Sequence, residues 1–290
     1  MKKGRHSRTA IMAAVVRALH TSFETPVVFN DPYAAKLAGP VWQILSGIRL
    51  CYLIGTKIIY NGLDPIRRQI VARARYAEDK LESAIVSGID QYVIIGAGFD
   101  SFALRRKDLS KKMLSVFELD HPASQNAKKN RLKQLRYVLP EKHEFVGIDF
   151  EKESLSEALA KSSYSRNHPA FFSWLGTVHY LTPQSVLSTL NAIAACAYPG
   201  SELVLDYAGP EGLAGTSQEE WALKLKRFTD RRGEPILSMF TPDQFQKIVS
   251  HAGYNLIENL SPSEQATRYF KLPDGTTLPM PSSYFAHLRL

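Results

Sequence analysis

The chain has 290 residues, 44 % apolar and 22 % charged, the balance of a soluble globular protein long enough for one enlarged domain or a domain with a cap. Its two cysteines, Cys51 and Cys196, are far apart, which excludes a disulfide framework and a zinc site and points to a reducing, cytoplasmic compartment. The net charge of +8 raises nucleic acid as a partner class to be weighed.

In chain order, Lys2, Lys3, Arg5 and Arg8 precede an apolar run from Ala10 to Val16 that imitates a secretory signal. Arg17 interrupts it, and no small-residue cleavage site follows. Residues 7–20, 32–60 and 65–87 read as helices, giving an N-terminal helical cap over residues 1–88. The stretch from Val41 to Tyr60 is apolar enough to imitate a membrane span. Arg49 and Lys57 lie near its middle, however, at roughly 2.5–3.5 kcal/mol each in a bilayer centre, so a buried or half-buried cap helix is expected.

From Gln91 onward strands and helices alternate, the pattern of a parallel α/β sheet covered on both faces. Strands are expected at 91–95, 114–119, near 144–148, at 170–175 and at 202–207, within a core domain spanning 89–290. Thr182-Pro183 and Thr241-Pro242 each set a cap residue before a first-turn proline. Ser217 to Glu220 reads as a capping box opening a helix that Gly233 would close, inside a lid expected at about 209–238. Three further strands are expected at 254–257, 267–270 and 284–288, the last two as an edge hairpin.

The chemistry concentrates at the strand ends. The first strand runs into Gly96-Ala97-Gly98, and Asp120 closes the next strand 22 residues after Gly98. That is a nucleotide-binding crossover, in which glycines admit the ligand to the backbone and the acid accepts from ribose hydroxyls. A dinucleotide site needs a third glycine to seat its pyrophosphate, and Ser101 stands there, which argues against an NAD-dependent oxidoreductase. The loop suits adenosine without phosphate, and S-adenosyl-L-methionine is the common ligand of that kind. Other strand ends offer Asp149-Phe150 for adenine, Ser173-Trp174-Leu175-Gly176, and Asp206-Tyr207.

A nucleic-acid-binding or RNA-modifying protein is the rival reading. Arg105, Arg106, Lys107, Lys111, Lys112, Lys128, Lys129, Arg131, Lys133 and Arg136 crowd the helices flanking the second strand. No aromatic platform is interleaved with them, so they read as solvated helix faces.

Taken together, Ser7-Arg8-Thr9-Ala10, Asp31-Pro32-Tyr33-Ala34, Ala72-Arg73-Ala74-Arg75-Tyr76, the Gly96 to Asp100 turn, Glu118-Leu119-Asp120-His121-Pro122, Ser173 to Gly176 and Tyr180-Leu181-Thr182-Pro183 resemble the leucine carboxyl methyltransferase family. The likeness spans nearly the whole chain in order and is strongest to bacterial polyketide and other small-molecule O-methyltransferases. It implies a class I methyltransferase, Rossmann-like α/β fold, with a seven-stranded sheet, an antiparallel last strand and a helical cap. It further implies that Arg73 holds the methionine carboxylate, with Arg75 close enough to be confused with it. Asp120 takes the ribose, Asp149 and Phe150 the adenine side, and Gly96, Ala97, Gly98, His121 and Ser173 complete the cofactor set. Leu175 stands where some members carry Glu, which weakens transfer of the protein-phosphatase substrate.

The expected acceptor is a small molecule with a carboxylate or hydroxyl, methylated by in-line displacement. His179 is the candidate base, and Trp174, Tyr180 and Tyr207 are the candidate pocket walls.

Overall fold

The computed structural model describes residues 8–55, 64–110, 114–150, 152–213 and 235–290. Seven strands form one sheet: β1 (Gln91–Ile95), β2 (Ser115–Asp120), β3 (His143–Gly147), β4 (Phe171–Trp174), β5 (Glu202–Leu213), β6 (Asn255–Leu260) and β7 (Pro281–Arg289). Their order is β3-β2-β1-β4-β5-β7-β6. The first five are parallel, and β7 inserts antiparallel between β5 and β6. β1 has β2 on one side and β4 on the other, so the strand order reverses there. In an open α/β sheet the ligand crevice lies at the carboxyl ends of such a pair.

Helices in chain order are α1 (Arg8–Phe23), α2 (Ala34–Ala38), α3 (Pro40–Leu45), α4 (Arg49–Ile54), α5 (Asp64–Val86), α6 (Phe102–Arg105), α7 (Lys107–Ser110), α8 (Pro122–Gln134), α9 (Leu155–Leu159), α10 (Pro183–Cys196), α11 (Pro242–His251) and α12 (Pro262–Tyr269). None among the described residues is long and apolar enough to cross a membrane.

The two-residue period of the strands sorts the core. Val93, Ile95, Phe117, Leu119, Phe172, Leu203 and Leu205 pack on one face under α9, α10 and α11. Tyr92, Ile94, Val116, Phe171 and Val204 pack on the other, where α5 supplies Val71, Ala72 and Tyr76. Because both faces are covered, the inner strands read as continuous apolar runs.

Two expected elements are replaced. The helix over 32–60 breaks into α2, α3 and α4, because Gly39 at φ +124° is followed by Pro40 and the chain turns again at Ser46 and Gly47, with 56–60 outside the described residues. The strand expected at 267–270 is the end of α12. Its start is a capping box in which the Ser261 hydroxyl accepts from the Glu264 N–H while the Glu264 carboxylate accepts from the Ser261 N–H. The final antiparallel pair is therefore β6 with β7 rather than an edge hairpin from 267 onward. Thr182 and Thr241 cap α10 and α11 as read.

Arg17 ties α1 both to the start of α2 and to the turn that follows β1. Arg17 donates from Nε to Asp31 Oδ2 at 2.9 Å and from Nη2 to the carbonyl of Phe99 at 2.8 Å. Asp31 in turn accepts the Tyr33 and Ala34 N–H groups that open α2. Burial pushes the Asp31 carboxyl up, but Arg17 and Arg105 hold it below the usual range. α1 is thus tied to the residue after the glycine turn.

Candidate active site

The crevice is built from the turns that end β1, β2 and β4. Gly96 and Gly98 adopt φ +72° and +50°, and the N–H groups of Gly96 and Ala97 both donate to the Leu119 carbonyl. The Gly98 N–H donates to Asp120 Oδ2 at 2.5 Å and the His121 N–H to Oδ1 at 2.6 Å. Asp120 is therefore pressed against the glycine turn. Burial raises its pKa, while those two N–H groups work the other way. A Cβ on Gly98 would stand 2.9 Å from the Ala10 Cβ, so α1 roofs the turn and only glycine leaves room.

Beneath Asp120, the buried Glu118 carboxylate binds Lys128 Nζ and, at 3.0 Å, His143 Nε2. Burial opposes its ionisation, yet Lys128 and His143 hold it down at about 2. A buried pair of this kind is weak evidence for added stability, because each charge loses its hydration. Its consequence is local: β2, α8 and β3 are held in register directly behind the acid of the crevice.

At the end of β4 the chain turns through Gly176 at φ +70°. Its N–H donates to Asp206 Oδ1 at 2.6 Å, and Asp206 Oδ2 accepts from Gln69 Nε2 at 2.6 Å and Arg73 Nη1 at 3.2 Å. Asp206 is fully buried. The Arg73 guanidinium packs against Gly176, where a Cβ would come within 2.7 Å of its Cζ. Arg75 points away and pairs with Asp79 at 2.7 Å, its side chain 51 % exposed against 14 % for Arg73. Thr177 Oγ1 is buried with no hydrogen-bond partner among the described residues, and its Cγ2 stands 3.4 Å from where a Gly96 Cβ would be. A buried hydroxyl left without a partner costs about 1–3 kcal/mol, which a polar ligand in the crevice would relieve.

His179 follows in a short 3-10 turn (Val178–Tyr180). Burial pushes its imidazole down to about 4, Arg73 adds to this, and Asp206 pulls the other way. Its ring lies 4.1 Å from that of Tyr180. The carbonyl of His179 accepts the Leu237 N–H at 2.8 Å, so the far stem of the expected 209–238 lid docks here; residues 214–234 lie outside the described residues.

Residues 10–194 match the profile of the leucine carboxyl methyltransferase family. The chain belongs to that family. A Bacillus subtilis (strain 168) protein named as an S-adenosyl-L-methionine-dependent methyltransferase, YktD, is 30 % identical over 285 residues, covering 93 % of each chain. A Mycobacterium avium (strain 104) relative of the same naming is 32 % identical over 200 residues, 67 % of this chain and 62 % of its own. A Thermobifida fusca crystal structure described as a methyltransferase superposes with a TM-score of 0.60 at 16 % identity, covering 99 % of this chain and 96 % of its own. A Streptomyces avermitilis protein of the DUF574 family gives 0.61 at 12 % identity, with 99 % and 98 % covered. These two share the fold, a class I, Rossmann-like α/β sheet. As a member of its family, this chain is a methyltransferase dependent on S-adenosyl-L-methionine. The crevice fits that cofactor: a glycine cradle, an acid beside it, an inward arginine and an unpartnered hydroxyl converge there.

The structure of this methyltransferase does not bring every expected residue into the crevice. Ser173 turns its hydroxyl to Tyr92 at 2.9 Å in the core. Trp174 is 2 % exposed in the core cluster, and Tyr207 is stacked between Phe245 and Tyr284 at 3.9 and 5.1 Å. Period-two alternation sends these side chains into the layers of the sheet, whatever their nearness to a strand end. His121 caps α8, its Nδ1 accepting the Ala123 N–H at 3.1 Å. Asp149 and Phe150 follow β3 in the loop beside Asp120, whose carbonyl accepts the Ile148 N–H; Phe150 is 53 % exposed and Asp149 pairs with Lys152.

Three of the ten residues in the basic run are paired with acids: Arg105 with Glu78, Arg106 with Glu82 and Asp108, and Lys128 with Glu118. Lys111 and Lys112 lie outside the described residues. Residue types alone did not reveal Gln69 or Thr177, and Asp206 stood out only as a strand-end acid. The available signals were an acid closing the apolar run Leu203-Val204-Leu205 and a glutamine one helical turn before Arg73.

Proposed function

We propose that this methyltransferase O-methylates a small molecule carrying a carboxylate, or secondarily a hydroxyl, at the crevice between the ends of β1, β2 and β4. In this reading Asp120 takes the ribose diol, each charge-assisted bond contributing roughly 1.5–3 kcal/mol. Gly96, Ala97 and Gly98 give the backbone approach, Asp149 and Phe150 flank the adenine, and Arg73 holds the methionine carboxylate. The observation that carries the reading is the Arg73 guanidinium, fixed on Gly176 by buried Asp206 rather than free in solvent.

When bound, the cofactor supplies an electrophilic methyl on a sulfonium. The chain's own part is to align the acceptor, exclude water and manage any proton. Opposite charges disappear when an anionic oxygen attacks a sulfonium-borne methyl, so a dry, ordered pocket helps more than a strong acid or base. His179, pushed down to about 4, is neutral near pH 7 and a weak proton acceptor. That favours an acceptor that arrives ionised. A carboxylate, at about 4, does so; a phenol, at about 10, does not.

The test is formation of S-adenosylhomocysteine across a panel of carboxylate and phenol metabolites. Turnover with carboxylates, unchanged in His179→Gln, supports the reading; turnover confined to amines, thiols or nucleic acid would overturn it.

A further inference from the structure

Helices α3 and α4 turn apolar side chains outward. Val41 and Ile44 on α3 are 62 % and 66 % exposed; Leu50, Leu53 and Ile54 on α4 are 64 %, 43 % and 48 % exposed, and Ile48 between them 42 %. Spacings of three and four residues put these on one stripe per helix. On the inner side Trp42 and Tyr52 pack against the α1–α2 cluster, so neither helix can roll its stripe inward without exposing an aromatic ring. Exposed faces of a globular protein are ordinarily polar, and a contiguous apolar patch marks an interaction site.

Charge identifies the partner. Arg49 is exposed in the first turn of α4, between the two stripes. From Pro40 to Ile54, the span of both helices, the sequence holds Arg49 and no Asp or Glu, within a chain of net charge +8. A second copy would set like charges against one another. An anionic bilayer surface satisfies both halves of the patch, apolar side chains entering the headgroup boundary and Arg49 meeting lipid phosphate.

We propose that α3 and α4 dock this protein on an anionic lipid surface, lying in the plane of the interface without crossing it. The proposal is independent of the methyl-transfer reading.

The experiment is co-sedimentation of the full chain with vesicles of equal parts phosphatidylcholine and phosphatidylglycerol, against vesicles of phosphatidylcholine alone. Binding is expected to the anionic vesicles only. It should fall at least ~10-fold in the Ile44→Asp/Leu50→Asp variant, and several-fold in Arg49→Glu and at about 0.5 M salt. Arg49 is exposed, so its variant tests the charge even if the double variant fails to fold. Absence of binding to anionic vesicles, or equal binding by wild type and Arg49→Glu, would overturn the proposal. So would a wild-type dimer in sedimentation velocity that Ile44→Asp converts to monomer, because the stripe would then belong to a second copy.

Discussion

Asp206 accepts from Arg73 Nη1 at 3.2 Å through one carboxylate oxygen and from the Gly176 N–H at 2.6 Å through the other. One buried acid therefore sets both the arginine and the turn on which it rests. Asp206→Asn preserves shape but leaves the Arg73 charge without its counter-ion. Removing one member of a buried pair costs about 3–5 kcal/mol, part of it as stability and part as lost orientation of Arg73. Calorimetric titration should register at least ~10-fold weaker S-adenosyl-L-methionine binding, and thermal melting a lower Tm. Unchanged affinity would separate Asp206 from the site.

Gly176→Ala attacks the same relationship from the other side. The new Cβ meets the Arg73 guanidinium at a residue whose φ is +70°, so both strain and displacement are expected. Gly200→Ala is the control: its φ is +87°, but nothing lies within 4 Å of the added Cβ. Both variants should lose about 1–2 kcal/mol of stability from backbone strain. Only Gly176→Ala should also lose cofactor affinity, as read by calorimetry.

The paired variants Arg73→Ala and Arg75→Ala distinguish two arginines that sequence leaves adjacent. Arg73 faces Asp206 and Gly176; Arg75 makes an exposed pair with Asp79, worth about 0.3–0.5 kcal/mol. Cofactor affinity should drop ~10-fold or more in the first and stay within about twofold in the second. The reverse order in a binding titration would place Arg75 in the crevice.

Stability should depend on pH through two histidines. His20 and His179 are both pushed down to about 4, first by burial; His20 Nε2 accepts the Val28 N–H at 2.9 Å, a bond that protonation would break. Their folded pKa values lie below the unfolded value of about 6.5, so between those limits the unfolded chain binds more protons. Their contribution is complete above pH 6.5 and is lost as pH falls toward 4. Glu118, held at about 2 by Lys128 and His143 against the opposing effect of burial, extends the loss below 4.5. The urea midpoint should be level above about pH 7 and decline steadily below 6. A flat midpoint between pH 7 and 5 would contradict this.

The parallel core was legible because its strands are continuous apolar runs and its helices carry marked starts. Thr182-Pro183 and Thr241-Pro242 stand where α10 and α11 begin. Thr267, Tyr269 and Phe270 suggested a strand, but these three residues of local β propensity were outweighed by the capping box at Ser261, which opens the helix they end. The meeting of the glycine turn with Asp120 was readable from spacing alone. Which side chains near a strand end face the crevice was not, since Ser173, Trp174 and Tyr207 are committed to the sheet layers by pleat and register. The Asp206, Gln69 and Arg73 network joins residues more than 130 positions apart, a separation no local pattern encodes.

The most direct measurement is calorimetric titration of S-adenosyl-L-methionine into the wild-type chain and Asp120→Ala. Wild type should bind one equivalent, and the variant, stripped of the acid beside Gly98, should bind at least ~10-fold more weakly with its fold intact by circular dichroism. Equal affinities in the two proteins would contradict the placement of the ribose and with it the whole site.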